Sequence, residues 1–217
     1  MRRKGSIFRE LPFLVVVALV VSLLVKTFLV QFFYIPSGSM ENTLQIQDRV
    51  AVNRLPFISK NISRGDVVVF RDPANWLPEA SDSSSSPIIA KIKTGLVAVG
   101  ILPNPAKQYL VKRVIGVAGD HVVCCTKDGL LTVNGTPITE PYIYGGNVPS
   151  DMNFDVTVPK NKIWVMGDHR GASADSRFHQ DDINKGMVPL SRVTGRVFAV
   201  IWPLKNAAYI PQIDVVK

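Results

Sequence analysis

Cysteine and histidine are both scarce in this 217-residue chain, and their positions exclude chemistry more than they suggest it. The two cysteines, Cys124 and Cys125, are adjacent, so no long-range covalent staple holds the fold. A vicinal bridge, buried thiols or an intermolecular bond are the options left. The three histidines, His121, His169 and His179, stand at no spacing that a zinc site uses, so neither a metal nor any other cofactor is expected. Basic residues outnumber acidic ones, 25 to 17, for a formal charge of +8. They come as singles and pairs without aromatic interleaving, which argues against nucleic acid as a partner. Solubility and attraction to anionic lipid headgroups account for the excess. Helical periodicity is missing after the N-terminal region, except around Ile88 to Val99.

What the chain does have is one long apolar run, the 24 residues from Leu11 to Tyr34, with Lys26 its only charge. As a helix it would reach about 36 Å against a hydrocarbon core of about 30 Å, so the run predicts a transmembrane helix over 11–34. Lys26 would snorkel toward the outer headgroups. A cleavable secretory signal competes, because Arg2, Arg3, Lys4 and Arg9 form a basic n-region. The run exceeds a typical h-region and lacks a small-x-small site, which favours an uncleaved anchor. The positive-inside rule then puts residues 1–10 in the cytoplasm and 35–217 outside it, with the lipid bilayer as a partner.

Beyond the anchor the punctuation is that of a mainly β protein, one domain of 183 residues. Short Val/Ile-rich runs predict strands at Arg49–Asn53, Asp66–Arg71, Tyr109–Val117, His121–Cys125, Leu130–Val133, Asp155–Val158, Ile163–Met166 and Val193–Ile201. Asn134-Gly135 is a two-residue hairpin signal. Trp76 to Lys107, with its serine run and Pro103 and Pro105, reads as an inserted loop region.

Three constellations carry candidate chemistry. Ser37-Gly38-Ser39-Met40 follows the apolar run directly, so Ser39 lies within about 17 Å of its end. Taken alone these residues are a turn; as a site, the Ser39 hydroxyl is a nucleophile, with Ser37 and a backbone N–H facing an oxyanion. Lys112 stands between Leu110 and Val114 on one strand face. Such a lysine either reaches water along its stem or, held in apolar surroundings, loses its proton readily and serves as a base. The third stretch, Met166 to Arg177, is a solvated loop or, if packed over the site, a bracket in which Ser173, Asp175 and Arg177 support the lysine.

In order, Ser-Gly-Ser-Met-x-x-Thr-Leu at 37 to 44, Gly-Asp-Val-Val-Val-Phe at 65 to 70, Val-Lys-Arg-Val-Ile-Gly-x-x-Gly-Asp at 111 to 120 and Gly-Asp-x-Arg-x-x-Ser-x-Asp-Ser-Arg at 167 to 177 follow the apolar run. This series resembles bacterial type I signal peptidase, also called leader peptidase. The resemblance implies an N-terminal transmembrane helix followed by an antiparallel β-sheet catalytic domain in the bacterial cytoplasmic membrane. It implies a serine endopeptidase that removes signal peptides from translocated preproteins after small residues, in an Ala-x-Ala pattern. By position, Ser39 would be the nucleophile and Lys112 the general base; Ser37 and the N–H of Ser39 would hold the oxyanion. Ser173 would hydrogen-bond the lysine, and Asp175 and Arg177 would support it. Phe33, Ile35, Pro36, Met40, Leu44, Leu110 and Val111 would line the substrate pockets. Asn42 stands where the family often has proline, and His169 where it often has asparagine. Two alternatives stay open: a Ser39-His169-Asp arrangement, and a non-catalytic membrane-anchored β-domain that binds extracytoplasmic partners.

Overall fold

The computed structural model describes residues 10–19, 29–55, 62–78, 108–213 and 215. Antiparallel sheet dominates. The strands are β1 (Val30–Tyr34), β2 (Arg49–Asn53), β3 (Val67–Arg71), β4 (Tyr109–Gly116), β5 (His121–Cys124), β6 (Leu131–Val133), β7 (Thr136–Pro137), β8 (Phe154–Thr157), β9 (Lys162–Met166), β10 (Val188–Pro189), β11 (Val193–Trp202) and β12 (Ala208–Tyr209). The larger sheet has the order β1-β2-β11-β3-β4-β9-β10, with β12 paired to β11; the smaller is β7-β6-β5-β8.

The expected helix over 11–34 needs correction. Residues 10–19 are helical and exposed, but Val30–Tyr34 is a strand paired antiparallel with β2. Among the described residues no helix is long and apolar enough to cross a membrane. The β-branched and aromatic content of Val30-Gln31-Phe32-Phe33-Tyr34 suits a half-buried pleat. Phe33 turns inward while Phe32 and Tyr34 stay exposed, an alternation that an unbroken apolar run hides.

The second correction is at Trp76, expected at the start of a loose insertion. It is buried, its indole N–H donates to Asp182 at 2.7 Å, and its ring stacks on His179 at 4.4 Å. Asp72 organises this approach by accepting from the backbone N–H groups of Ala74, Trp76 and Leu77. The rest of the expected insertion, from residue 79 to 107, including the periodic stretch 88–99, lies outside the described residues.

Central strands read as continuous apolar runs because both of their faces are covered. On β3, Val67 and Val69 join a cluster with Ile35, Met40, Leu44, Val50, Val52, Val197 and Val200, while Val68 and Phe70 join another with Leu110, Val114, Ile163 and Val165. A third cluster packs the small sheet against β4 and β9 through Val122, Leu131, Phe154, Trp164 and Met166. Asn134 and Gly135 both take positive φ, +54° and +79°, which is how this pair closes the β6–β7 hairpin. The cysteines are joined to each other in the third cluster, Cys124 being buried.

Candidate active site

Strand β4 and two turns build the site. After β1 the chain turns at 37–44, where Glu41 N–H donates to the Gly38 carbonyl and Leu44 N–H to that of Met40. Leu44 and Met40 anchor this turn in the apolar cluster, leaving Ser39 only 7% exposed. Lys112 comes from the middle of β4 and is 4% exposed. Its Nζ donates to Ser39 Oγ at 2.5 Å.

Burial lowers the Lys112 pKa from 10.5 to about 8. The carboxylates of Asp175 and Asp168 pull it back up, and the Arg177 guanidinium pushes it down. At pH 7 roughly a tenth of such lysines are neutral, and at pH 8 about half, so a base is available near neutrality.

The loop after β9 closes over this pair. Gly167 sits where a Cβ would collide with the Ser173 side chain and the Ser39 carbonyl, so only glycine permits this approach. His169 N–H donates to the Ser39 carbonyl at 3.1 Å. Ser173 Oγ donates to Asp175 Oδ2 at 2.7 Å, and the hydrogen bond that Lys112 makes is to Ser39. Asp175 also accepts from Gly167 N–H and takes a two-pronged bond from Arg177, Nε to Oδ1 and Nη2 to Oδ2, both at 2.9 Å. Arg177 also donates to the Arg170 carbonyl at 2.8 Å and, at 3.5 Å, to Ser150 Oγ and the Ser173 carbonyl. The bracket is therefore internally satisfied although fully buried.

Of the pocket residues expected from sequence, Phe33, Ile35, Met40, Leu44 and Val111 meet in one apolar cluster. Leu110 faces the other way, into the cluster of Phe70 and Val114. Pro36 and Ser37 are exposed at the mouth of the turn. The Phe33 and Tyr109 rings meet edge to face at 5.0 Å, so β1 and the start of β4 face each other beside Ser39. The hydrogen bond at Ser39 Oγ comes from Lys112, whereas His169 Nδ1 pairs with Glu41 Oε2 at 3.0 Å. Asn42 adopts φ +86°, closed to proline, and its amide donates to the Tyr142 carbonyl. Among the described residues no cluster of His, Cys, Asp and Glu has metal-holding geometry.

Sequence reasoning missed a second layer of charge. Arg113 forks onto Asp168, Nε to Oδ1 at 2.8 Å and Nη2 to Oδ2 at 2.6 Å, and also donates to the Gly65 carbonyl and Thr43 Oγ1. Its guanidinium lies over the Tyr142 ring at 4.0 Å. Arg170 pairs with Glu140 and donates to the Gly167 carbonyl. The alternation of β4 was the available signal: if Lys112 faces one side, Arg113 faces the other and needs its own anion.

A family model described as signal peptidase, peptidase S26, matches residues 8–202. The chain is 36% identical over 228 residues to a probable signal peptidase I of Mycobacterium leprae, covering 93% of this chain and 78% of that protein. It is 37% identical over 220 residues to signal peptidase I of Mycobacterium tuberculosis, with 92% and 74% covered, and 30% identical over 204 residues to a probable signal peptidase I-2 of Synechocystis, with 93% and 76% covered. The class these findings define is a serine peptidase, a hydrolase of mainly antiparallel β architecture. Within that class the chain belongs to the signal peptidase family, peptidase S26.

Proposed function

We propose that this protein cleaves signal peptides from translocated preproteins with a Ser39–Lys112 dyad, cutting after small residues of an Ala-x-Ala pattern. The observation that carries the proposal is the buried Lys112 Nζ donating to Ser39 Oγ at 2.5 Å, with its pKa brought to about 8. Neutral Lys112 takes the Ser39 proton as Oγ attacks the carbonyl carbon before the scissile bond. The oxyanion is held by the Ser37 hydroxyl and the Ser39 N–H. The lysine gives its proton to the departing amine, and an acyl-enzyme remains. Water, deprotonated by the same lysine, then releases the signal peptide and frees Ser39.

Substrate main chain lies between two open edges. Among the described residues strand β1 pairs only with β2, and residues 109–112 of β4 pair only with β3, because β9 joins β4 from Arg113 onward. An extended peptide bonded along them presents alternate side chains to the cluster of Phe33, Ile35, Met40, Leu44 and Val111. Shallow space there selects small residues.

The apolar run before β1 tethers the domain to the outer face of a bacterial cytoplasmic membrane. Phe32 and Tyr34 are exposed on β1, and across the register Trp202 and Tyr209 are exposed as well, forming an aromatic face next to the tether. The test is cleavage of an Ala-x-Ala preprotein by detergent-solubilised protein, read by product mass for wild type, Ser39→Ala and Lys112→Ala. Cleavage after the last small residue that vanishes in both variants supports the proposal; activity surviving Lys112→Ala refutes the dyad. Silence from folded wild type supports the binding-domain alternative.

A further inference from the structure

Two of the residues around Ser39 fall outside the dyad and its bracket, yet they converge on the nucleophile turn. Glu41 follows Ser39 by two positions, and its N–H closes the turn on the Gly38 carbonyl at 3.0 Å. Its carboxyl group folds back over Gly38 so closely that a Cβ there would stand 2.9 Å from both Cδ and Oε2. The same carboxylate meets His169 Nδ1 at 3.0 Å. Both side chains are only about a quarter exposed or less, Glu41 25% and His169 21%. The imidazole plane is fixed from one side by Tyr144, whose ring stacks on it at 4.1 Å and 18° and whose own N–H donates to the Asp168 carbonyl.

We propose that the Glu41–His169 pair, seated on Tyr144, positions the nucleophile turn and so determines how the Ser39 hydroxyl is presented to Lys112. This rests on Ser39 being the nucleophile. His169 holds the Ser39 carbonyl by its backbone N–H. The turn is further held beyond Ser39 by the burial of Met40 and Leu44 and by the bonds of Asn42 and Thr43. The side-chain pair adds an attachment from His169 to the carboxylate that folds over Gly38, directly before Ser39, and so fixes the backbone on that side of the hydroxyl. The serine Oγ must keep its short contact with Lys112 Nζ for proton transfer, and its rate falls as that geometry loosens. The charged neighbours of His169 in sequence are engaged elsewhere, Asp168 by Arg113 and Arg170 by Glu140.

The pair acts on presentation of the hydroxyl and not on the pockets, so its loss lowers kcat and leaves KM nearly unchanged. A hydrogen bond of this kind is worth about 1 kcal/mol, so Glu41→Ala and His169→Ala, which delete it, should each lower kcat by about three- to tenfold. Because both remove one attachment, the double variant should lose no more than the larger single loss. Substitution here leaves no buried charge stranded, so thermal unfolding should stay within a few degrees of wild type.

The experiment compares steady-state cleavage of an Ala-x-Ala preprotein by the full chain in detergent for wild type, both single variants, the double variant and Ser39→Ala. A kcat-only loss that is non-additive in the double variant supports the proposal. Unchanged kcat, independent additive losses, or a loss confined to KM overturns it. Activity persisting in Ser39→Ala strikes at the nucleophile assignment instead, and so separates failure of that reading from failure of this one.

Discussion

Replacing Lys112 with methionine should abolish cleavage and stabilise the protein, and the two effects have one cause. A lysine with an ordinary pKa of 10.5 that titrates at about 8 when folded binds fewer protons folded than unfolded across that window. Stability therefore rises with pH from about 8 to 10.5 and carries the full penalty below it. The gap amounts to about 3 kcal/mol of destabilisation at pH 7. Methionine fills a similar volume without charge, while losing the bond to Ser39 and leaving that hydroxyl unpartnered, which costs about 1 to 2 kcal/mol. The expected net gain at pH 7 is about 1 to 2 kcal/mol, or a rise in Tm of about 2 to 8 °C for a chain of this size. Urea unfolding followed by tryptophan fluorescence, at intervals from pH 6.5 to 10.5, gives the stability difference between variant and wild type. Titrations shared by both proteins cancel in that difference. The advantage should shrink through pH 8 to 10 and reverse slightly above 10.5. Parallel curves at all pH values would refute the assignment of a buried, proton-shedding ammonium at this position.

The acid limb of kcat/KM should rise with pH around 8, and pH profiles of two variants should shift it oppositely: Asp175→Asn downward, by removing the anion that favours the charged lysine, and Arg177→Met upward, by exposing it. Gly167→Ala forces a Cβ into Ser173 and the Ser39 carbonyl; a cost of about 1 to 3 kcal/mol should appear as a roughly 10- to 100-fold drop in kcat/KM in a protein that still folds. Arg113→Ala strands the buried Asp168 carboxylate and should cost about 3 to 5 kcal/mol by chemical denaturation, whereas the paired change Arg113→Met with Asp168→Leu should cost less. Substrates in which the amides flanking the scissile bond are replaced by esters should be cleaved more slowly; unchanged rates would argue against the strand edges of β1 and β4 as the binding surface.

Most of the sheet was legible because its signals are local. Arg49–Asn53 is a strand at the predicted bounds, and the Asn134-Gly135 hairpin closes as predicted, since turn chemistry and β-branched runs act over a few residues. What stayed hidden depends on partners distant in sequence. Val30–Tyr34 looks like the end of a helical run until β2 offers it a register, and Trp76 looks like loop until Asp182 and His179 come within reach. Ser39 and Lys112 were readable as a pair only through their boxes; 73 positions separate them, and no local pattern announces the contact. The Arg113–Asp168 fork was half legible, in that β4 alternation demands an anion for Arg113 without saying which.

Burial loosens the proton of Lys112 even in a site full of charge. Two carboxylates, Asp168 and Asp175, both favour the ammonium form of Lys112. Left free, either would oppose the effect of burial. Each is occupied by a two-pronged guanidinium, Asp168 by Arg113 and Asp175 by Arg177, and the Arg177 charge itself pushes the lysine down against the pull of the carboxylates. Desolvation then outweighs the residual attraction, and the pKa falls instead of rising. Buried ion pairs contribute little to stability by themselves. Here Arg177 both completes the bonds by which Asp175 holds the Gly167–Arg177 loop in shape and offsets part of that carboxylate's pull on the proton, so the loop is braced over Ser39 while Lys112 still titrates near neutrality.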